Sequence, residues 1–238
     1  MQVIEVSMIG VRSAVLRLTR AGSPLRFEIY PMVHMAEPDF YQAVAERLRL
    51  CDLIVAEGVG GPDRTSKRPA GITAITSSYR LPARFRRDGL VEQEISYRAL
   101  GVPVVRPDMT GEQFTEGWRA VPWQQRAFAL VGAPLAGLER LAFGSRRAMS
   151  RHLELDDTDF HDKFSDIESM AELMALIGDQ RDQLLIAELD RIHRERAHEP
   201  ITVAVVYGAL HVPPVVYAMR ALHRYAPRGA EWLTVIKA

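Results

Sequence analysis

The chain has one cysteine in 238 residues, and that scarcity excludes much. Cys51 cannot form an internal disulfide, and neither a cysteine zinc ribbon nor a Cys-x-x-Cys redox pair can be built from it. A reducing compartment, the cytoplasm, is the expected setting, with Cys51 packed as a small core residue. There is no excess charge of either sign: 30 Lys+Arg stand against 30 Asp+Glu. Non-specific nucleic-acid binding runs on surplus positive charge, so no nucleic-acid partner is expected. Long hydrophobic runs are missing too. The longest apolar stretch, Ala127 to Leu138, is broken by Gly132, Pro134 and Gly137. It falls short of the roughly 20 residues a membrane span needs. The start, Met1-Gln2-Val3-Ile4-Glu5-Val6, lacks the basic and apolar regions of a signal peptide. No membrane partner is expected. What is present is ordinary for a globular chain, with 47% hydrophobic and 25% charged residues.

The pattern along the chain predicts an α/β fold. Val3–Met8, Ala14–Leu18 and Leu25–Tyr30 read as strands. Pro38 opens a helix running to about Leu50, since proline suits a first helical turn. Leu53–Ala56 is a short continuous apolar run, which fits a strand buried on both faces. Val102–Val105 reads as a further strand, closed by Asp108. Residues 110–198 read as mostly helical, and the clearest helix, from about Asp166 to Arg196, repeats apolar residues at three- and four-residue steps. The chain then returns to its opening pattern: strand Ile201–Tyr207, helix Val212–His223 and strand Glu231–Ile236. The arginines Arg80 to Arg87 and the acidic run Glu154 to Asp166 are expected to be solvated surface.

An internal echo points to the chemistry. Tyr30 precedes His34 by four residues, and Tyr207 precedes His211 by four. Each tyrosine ends a predicted strand, and each histidine precedes a proline-started helix. Glu57 ends the next strand of the first half, whereas the matching position in the second half is Thr234. If the strands are parallel, His34, Glu57 and His211 share the carboxyl edge of the sheet, where open α/β sheets bind ligands. A helix N-terminus disfavours a proton on imidazole, keeping it in the form needed for metal ligation or general-base work. His193 and His198 lie five apart on a charged helix and are expected at the surface. Familiar motifs fail. Glu57-Gly58-Val59-Gly60-Gly61 lacks the third glycine of a dinucleotide fingerprint, because Asp63 stands there. No P-loop, H-E-x-x-H or G-x-S-x-G occurs. No organic cofactor is expected.

At these residues the chain resembles the TraB/PrgY/GumN/Tiki family, within the group that includes erythromycin esterases and ChaN-like proteins. Pro31-Met32-Val33-His34 and Tyr207-Gly208-Ala209-Leu210-His211 lie where the family has its two G-x-x-H motifs. Asp52-Leu53-Ile54-Val55-Ala56-Glu57 is similar to its strand ending in glutamate. Gly89-Leu90-Val91-Glu92-Gln93 and Val104-Val105-Arg106-Pro107-Asp108 resemble its middle segments, and Gln180-Arg181-Asp182 its helix motif. Pro31 replaces a glycine, and Asp182 replaces the usual asparagine.

The resemblance implies one domain over residues 1–238. Its central, mostly parallel sheet has two related halves (1–109 and 200–238), with a helical insertion (110–199) between them. It also implies one site between the halves, and hydrolysis of an amide, peptide or ester bond of a small-molecule or peptide substrate. Glu57, His34, Arg181 and His211 are the expected catalytic residues, with Asp108, Tyr207 and Asp182 secondary. Glu57 would activate water, His34 and His211 would serve as base and acid, and Arg181 would stabilise the oxyanion. His34, His211 and Glu57 could instead hold a divalent zinc, manganese or cobalt ion. Two alternatives stand beside this: a non-catalytic ligand- or peptide-binding protein on the same scaffold, and an enzyme dedicated to one biosynthetic pathway.

Overall fold

The computed structural model describes residues 1–59, 71, 89–93, 95–131 and 170–237. The Arg80 to Arg87 cluster and the Glu154 to Asp166 run lie outside the described residues. Among the described residues the order is β1 (Ile4–Ser7), β2 (Gly10–Thr19), β3 (Arg26–Met32), β4 (Met35–Ala36), α1 (Pro38–Leu48) and β5 (Leu53–Ala56). Then follow β6 (Val91–Glu92), a 3₁₀ turn (Tyr97–Leu100), β7 (Val104–Val105) and α2 (Gly111–Ala120). The remainder is α3 (Ala171–Met174), a π turn (Ala175–Asp179), α4 (Gln180–Arg196), β8 (Thr202–Gly208), a 3₁₀ turn (Ala209–His211), α5 (Val212–His223) and β9 (Ala226–Lys237). No described helix is long and apolar enough to cross a membrane.

The fold is α/β, as the sequence predicts. One mixed sheet of seven strands has a parallel centre, in which β8 pairs with β3 on one side and β5 on the other, and β5 pairs with β7. β2 pairs antiparallel with β1, β3 and β9. β9 runs the length of β2, from Gly10 with Lys237 to Thr19 with Ala226, so β1 and β3 must share the opposite edge. It follows that every strand of this sheet except β2 points the same way. The strands of residues 1–109 and 200–238 therefore interleave: β8 fills the centre, between β3 and β5.

Local chemistry explains the elements. All four residues of β5 are buried, as are Val203 to Tyr207 of β8, which is what a parallel strand covered on both faces requires. Each such Val, Leu or Ile contributes roughly 1.5–3 kcal/mol by leaving water. Pro31 is tolerated inside β3 because the β2–β3 pairing ends at Ile29, and its carbonyl accepts the Ser13 hydroxyl at 2.7 Å. α1 starts on Pro38, carries Asp39 in its first turn and Arg47 in its last, and buries Phe40, Tyr41, Val44 and Leu48. α2 begins with a capping box between Thr110 and Gln113. α4 buries Leu185, Leu189, Ile192 and His193 against the sheet core. The predicted long helix is thus seen from Met170 onward, and it is interrupted by a π turn just before Arg181.

One histidine reading changes. His193 is buried, not at the surface, whereas His198 is exposed as expected. The His193 ring lies 4.0 Å from that of His223, accepts from Arg20 at 3.0 Å and meets the Tyr225 hydroxyl at 3.2 Å. His223 in turn bonds Asp190 at 2.8 Å. Arg20, His223 and Tyr225 all lie far from His193 in sequence, so helical spacing could not reveal them.

Candidate active site

The parallel centre brings four strand ends to one edge. β3 runs into His34, β5 into Glu57, β7 into Asp108, and β8 into His211. The N-terminal turn of α4 adds Arg181 and Asp182 from the insertion.

Arg181 is the hub. Its Nε donates to Asp108 Oδ1 at 2.9 Å, and its Nη2 to Asp108 Oδ2 at 2.7 Å and to Glu57 Oε1 at 2.6 Å. Nη1 makes a long bond of 3.4 Å to the Ile177 carbonyl in the π turn. π turns are frequent where a helix must aim a side chain at a site. The Asp108 side chain is fully buried and also accepts the backbone N–H groups of Gly58 and Met109. With four donors on two oxygens its capacity is filled, which is how a buried charge is made tolerable.

Glu57 is placed from three sides. Gly208 N–H donates to Oε2 at 2.7 Å, Arg181 to Oε1, and the Glu57 carbonyl accepts from Arg106 Nη1 at 2.9 Å. A Cβ on Gly208 would stand 3.3 Å from Glu57 Oε2 and 3.6 Å from the His211 ring, so this glycine is there for room. Burial pushes the Glu57 pKa upward, but Arg181, His211 and His34 outweigh it and hold the carboxyl at about 2. Glu57 is therefore ionised at neutral pH and is a weak base.

His211 is buried and sits between two carboxylates. Nδ1 lies 2.6 Å from Asp182 Oδ1, and Nε2 lies 3.8 Å from Glu57 Oε1. An ionised carboxylate only accepts, so Nδ1 carries the proton and Nε2 presents its lone pair toward Glu57. A separation of 3.8 Å is too long for a direct bond, yet one water can touch both atoms. The Tyr207 ring packs edge-on against His211 at 5.7 Å. Tyr207 is buried, and its hydroxyl has no partner among the described residues. Burial, with Asp108 and Glu57 nearby, pushes that hydroxyl's pKa up.

His34 keeps an exposed surface while protein crowds round its ring, as expected of a side chain on a cleft wall. The loss of surrounding water lowers its pKa, and Glu57, Arg181 and His211 all lie within electrostatic reach. Burial also works against the Arg181 charge, but Glu57 and Asp108 raise its pKa further still.

All seven residues singled out in the sequence thus gather at one sheet edge. Sequence reasoning missed Arg106 and Gly208. Arg106 stands two residues before Asp108, past the same strand end, and that placement was its only available signal. No family model matches the chain, and neither a curated protein nor a solved structure matches it. The site must therefore be read from its own geometry.

That geometry bears on the expected metal. Among the described residues no three His, Cys, Asp or Glu side chains form a group that could hold an ion. Both Glu57 oxygens already accept hydrogen bonds, one of them from a guanidinium. A cation there would stand against the Arg181 guanidinium, which already pairs with Glu57. The described donor set disfavours a resident divalent ion.

Proposed function

We propose that the chain is a hydrolase of an amide, peptide or ester bond, with His211 as general base. The observation that carries this reading is the Asp182–His211–Glu57 alignment. A carboxylate fixes the imidazole tautomer on one side, and on the other a lone pair stands 3.8 Å from a second carboxylate, so that one water beside them can touch both. Water held between His211 Nε2 and Glu57 would lose its proton to Nε2 as it attacks a carbonyl carbon. Glu57, fixed as an anion, would stabilise the imidazolium that forms. His34, kept neutral by its surroundings, is placed to hydrogen-bond the substrate or the leaving group. Arg181 serves as the anchor of Glu57 and Asp108, which take three of its five N–H donors.

The resemblance to the TraB/Tiki group supports the same reaction class, and Asp182 in place of asparagine keeps an oxygen acceptor for His211. The reading extends to a small-molecule or peptide substrate and a cytoplasmic setting. A panel of activated esters and short peptides, assayed with His211→Ala and Glu57→Ala variants, tests it. The expected loss in kcat/KM is about 10²–10⁴-fold for His211→Ala. Variants that retain the full rate on a substrate the native protein turns over would end the assignment.

The metal-dependent form of the reaction remains the second reading, because Asp182 behind His211 is also how metal-bound histidines are oriented. Protein purified without chelator is expected to hold under about 0.1 equivalents of zinc, manganese or cobalt. A stoichiometric metal whose removal abolishes turnover would reverse this ordering.

A further inference from the structure

The site's two cations are used differently. Arg181 is neutralised by Glu57 and Asp108. Arg106 makes no ion pair among the described residues. Its Nη1 is held by the Glu57 carbonyl at 2.9 Å, and its guanidinium lies 5.0 Å over the Tyr97 ring. Both contacts orient a planar cation without cancelling its charge. Gly58 makes space for it, since a Cβ there would come within 2.8 Å of Arg106 Nη1. A second unused group lies close by. The Tyr207 hydroxyl is buried, unpartnered among the described residues, and sits in the combined field of Asp108, Glu57, Arg181 and Arg106. Among the described residues, a half-buried cation without an anion bonds the Glu57 carbonyl, and a buried hydroxyl without an acceptor lies within electrostatic reach of both Glu57 and that cation.

We propose that Arg106 and Tyr207 form a recognition subsite for a carboxylate carried by the substrate, next to the bond that is cleaved. This rests on the hydrolase reading for the identity of the ligand as substrate. A carboxylate matches the guanidinium fork and accepts from a phenol. One unpaired cation balances one negative charge. A doubly charged phosphate would face Glu57 and Asp108 with half its charge uncompensated, which favours the carboxylate. The substrate class is therefore an acid-bearing amide or ester, such as an acylated amino acid, a peptide end or a half-ester of a dicarboxylic acid.

The test pairs two esters that differ by one carboxylate, p-nitrophenyl butyrate and the mono-p-nitrophenyl ester of glutaric acid. Glutarate binding is followed in parallel by ligand-observed NMR at fixed ionic strength. The native protein is expected to prefer the anionic ester by at least about tenfold in kcat/KM and to bind glutarate. Arg106→Met and Tyr207→Phe are expected to bring that preference toward one and to weaken glutarate binding. Arg106→Lys should keep part of both. Tyr207→Phe removes a hydroxyl that has no partner, so it decides the matter even if Arg106→Met fails to fold. Equal rates for the two esters with no glutarate binding, while turnover still depends on His211, would overturn the subsite and leave the hydrolase standing. Arg106-dependent glutarate binding with no turnover of either ester would uphold the subsite and remove the hydrolase.

Discussion

Neutralising Glu57 offers a direct measure of how the site is held together. Its carboxyl titrates at about 2 in the folded chain against 4.5 when unperturbed, and its side chain is only 21% exposed. At 1.36 kcal/mol per unit, that difference corresponds to about 3 kcal/mol of stability. The sign follows from linkage. The folded pKa lies below the unfolded one, so the contribution is complete above about pH 5 and disappears as pH falls toward 2. About half of it is gone near pH 3. In a chain of this length, about 3 kcal/mol moves the melting temperature by roughly 6–12 °C. The perturbation is Glu57→Gln, which keeps shape and removes the titration. Urea unfolding of both proteins, repeated from pH 7 down to pH 3 at constant ionic strength, gives two stability curves. The native curve should fall more steeply below pH 5, so the gap between the curves narrows as acid is added. Other carboxylates titrate in both proteins and cancel in the difference. Parallel curves, constant within about 0.5 kcal/mol over the whole range, would show that Arg181 and the two histidines do not hold Glu57 as described.

Two further outcomes follow from the same geometry. Gly208→Ala places a methyl 3.3 Å from Glu57 Oε2 and should cost about 1–3 kcal/mol or displace the carboxylate; native melting temperature together with unchanged turnover would contradict the close fit. His193 has its pKa lowered by burial, with His223 and Arg20 adding to the effect, so its contribution to stability is present above pH 6.5 and lost as pH falls. A His193→Gln variant should therefore show a shallower stability decline between pH 7 and 5 than the native chain, measured by thermal unfolding.

Much of this fold can be read from local pattern. Leu53–Ala56 and Val203–Tyr207 announce buried parallel strands because nothing in them faces water, and Pro38 marks where α1 begins. His34, Glu57 and His211 fall on one edge because strand direction follows from strand, helix, strand order. What escapes local reading is pairing across the chain. Nothing in Thr202–Gly208 says that it enters between β3 and β5. Arg181 sits on a helix whose phase is reset by the π turn, so its bridge between Glu57 and Asp108 is invisible to a 3.6-residue count. His193 looks like a surface residue on a charged helix until Arg20, His223 and Tyr225 arrive from elsewhere. Arg106 has no pattern of its own; only the absence of an anion beside it among the described residues makes it conspicuous.

The placement of β8 has a consequence for how the chain assembles. β3 and β5 both wait for β8, which is synthesised some 150 residues after β5 and some 170 after β3, and β2 waits longer still, since Thr19 pairs with Ala226. Until then two apolar edges stand open, and loop closure over such distances slows folding. Partly made chains with open strand edges are prone to aggregate, and here those edges stay open until the last strands emerge. The same order of events governs the site: Asp182 and His211 arrive after Glu57, so no nascent fragment ending before β8 holds the assembled cluster.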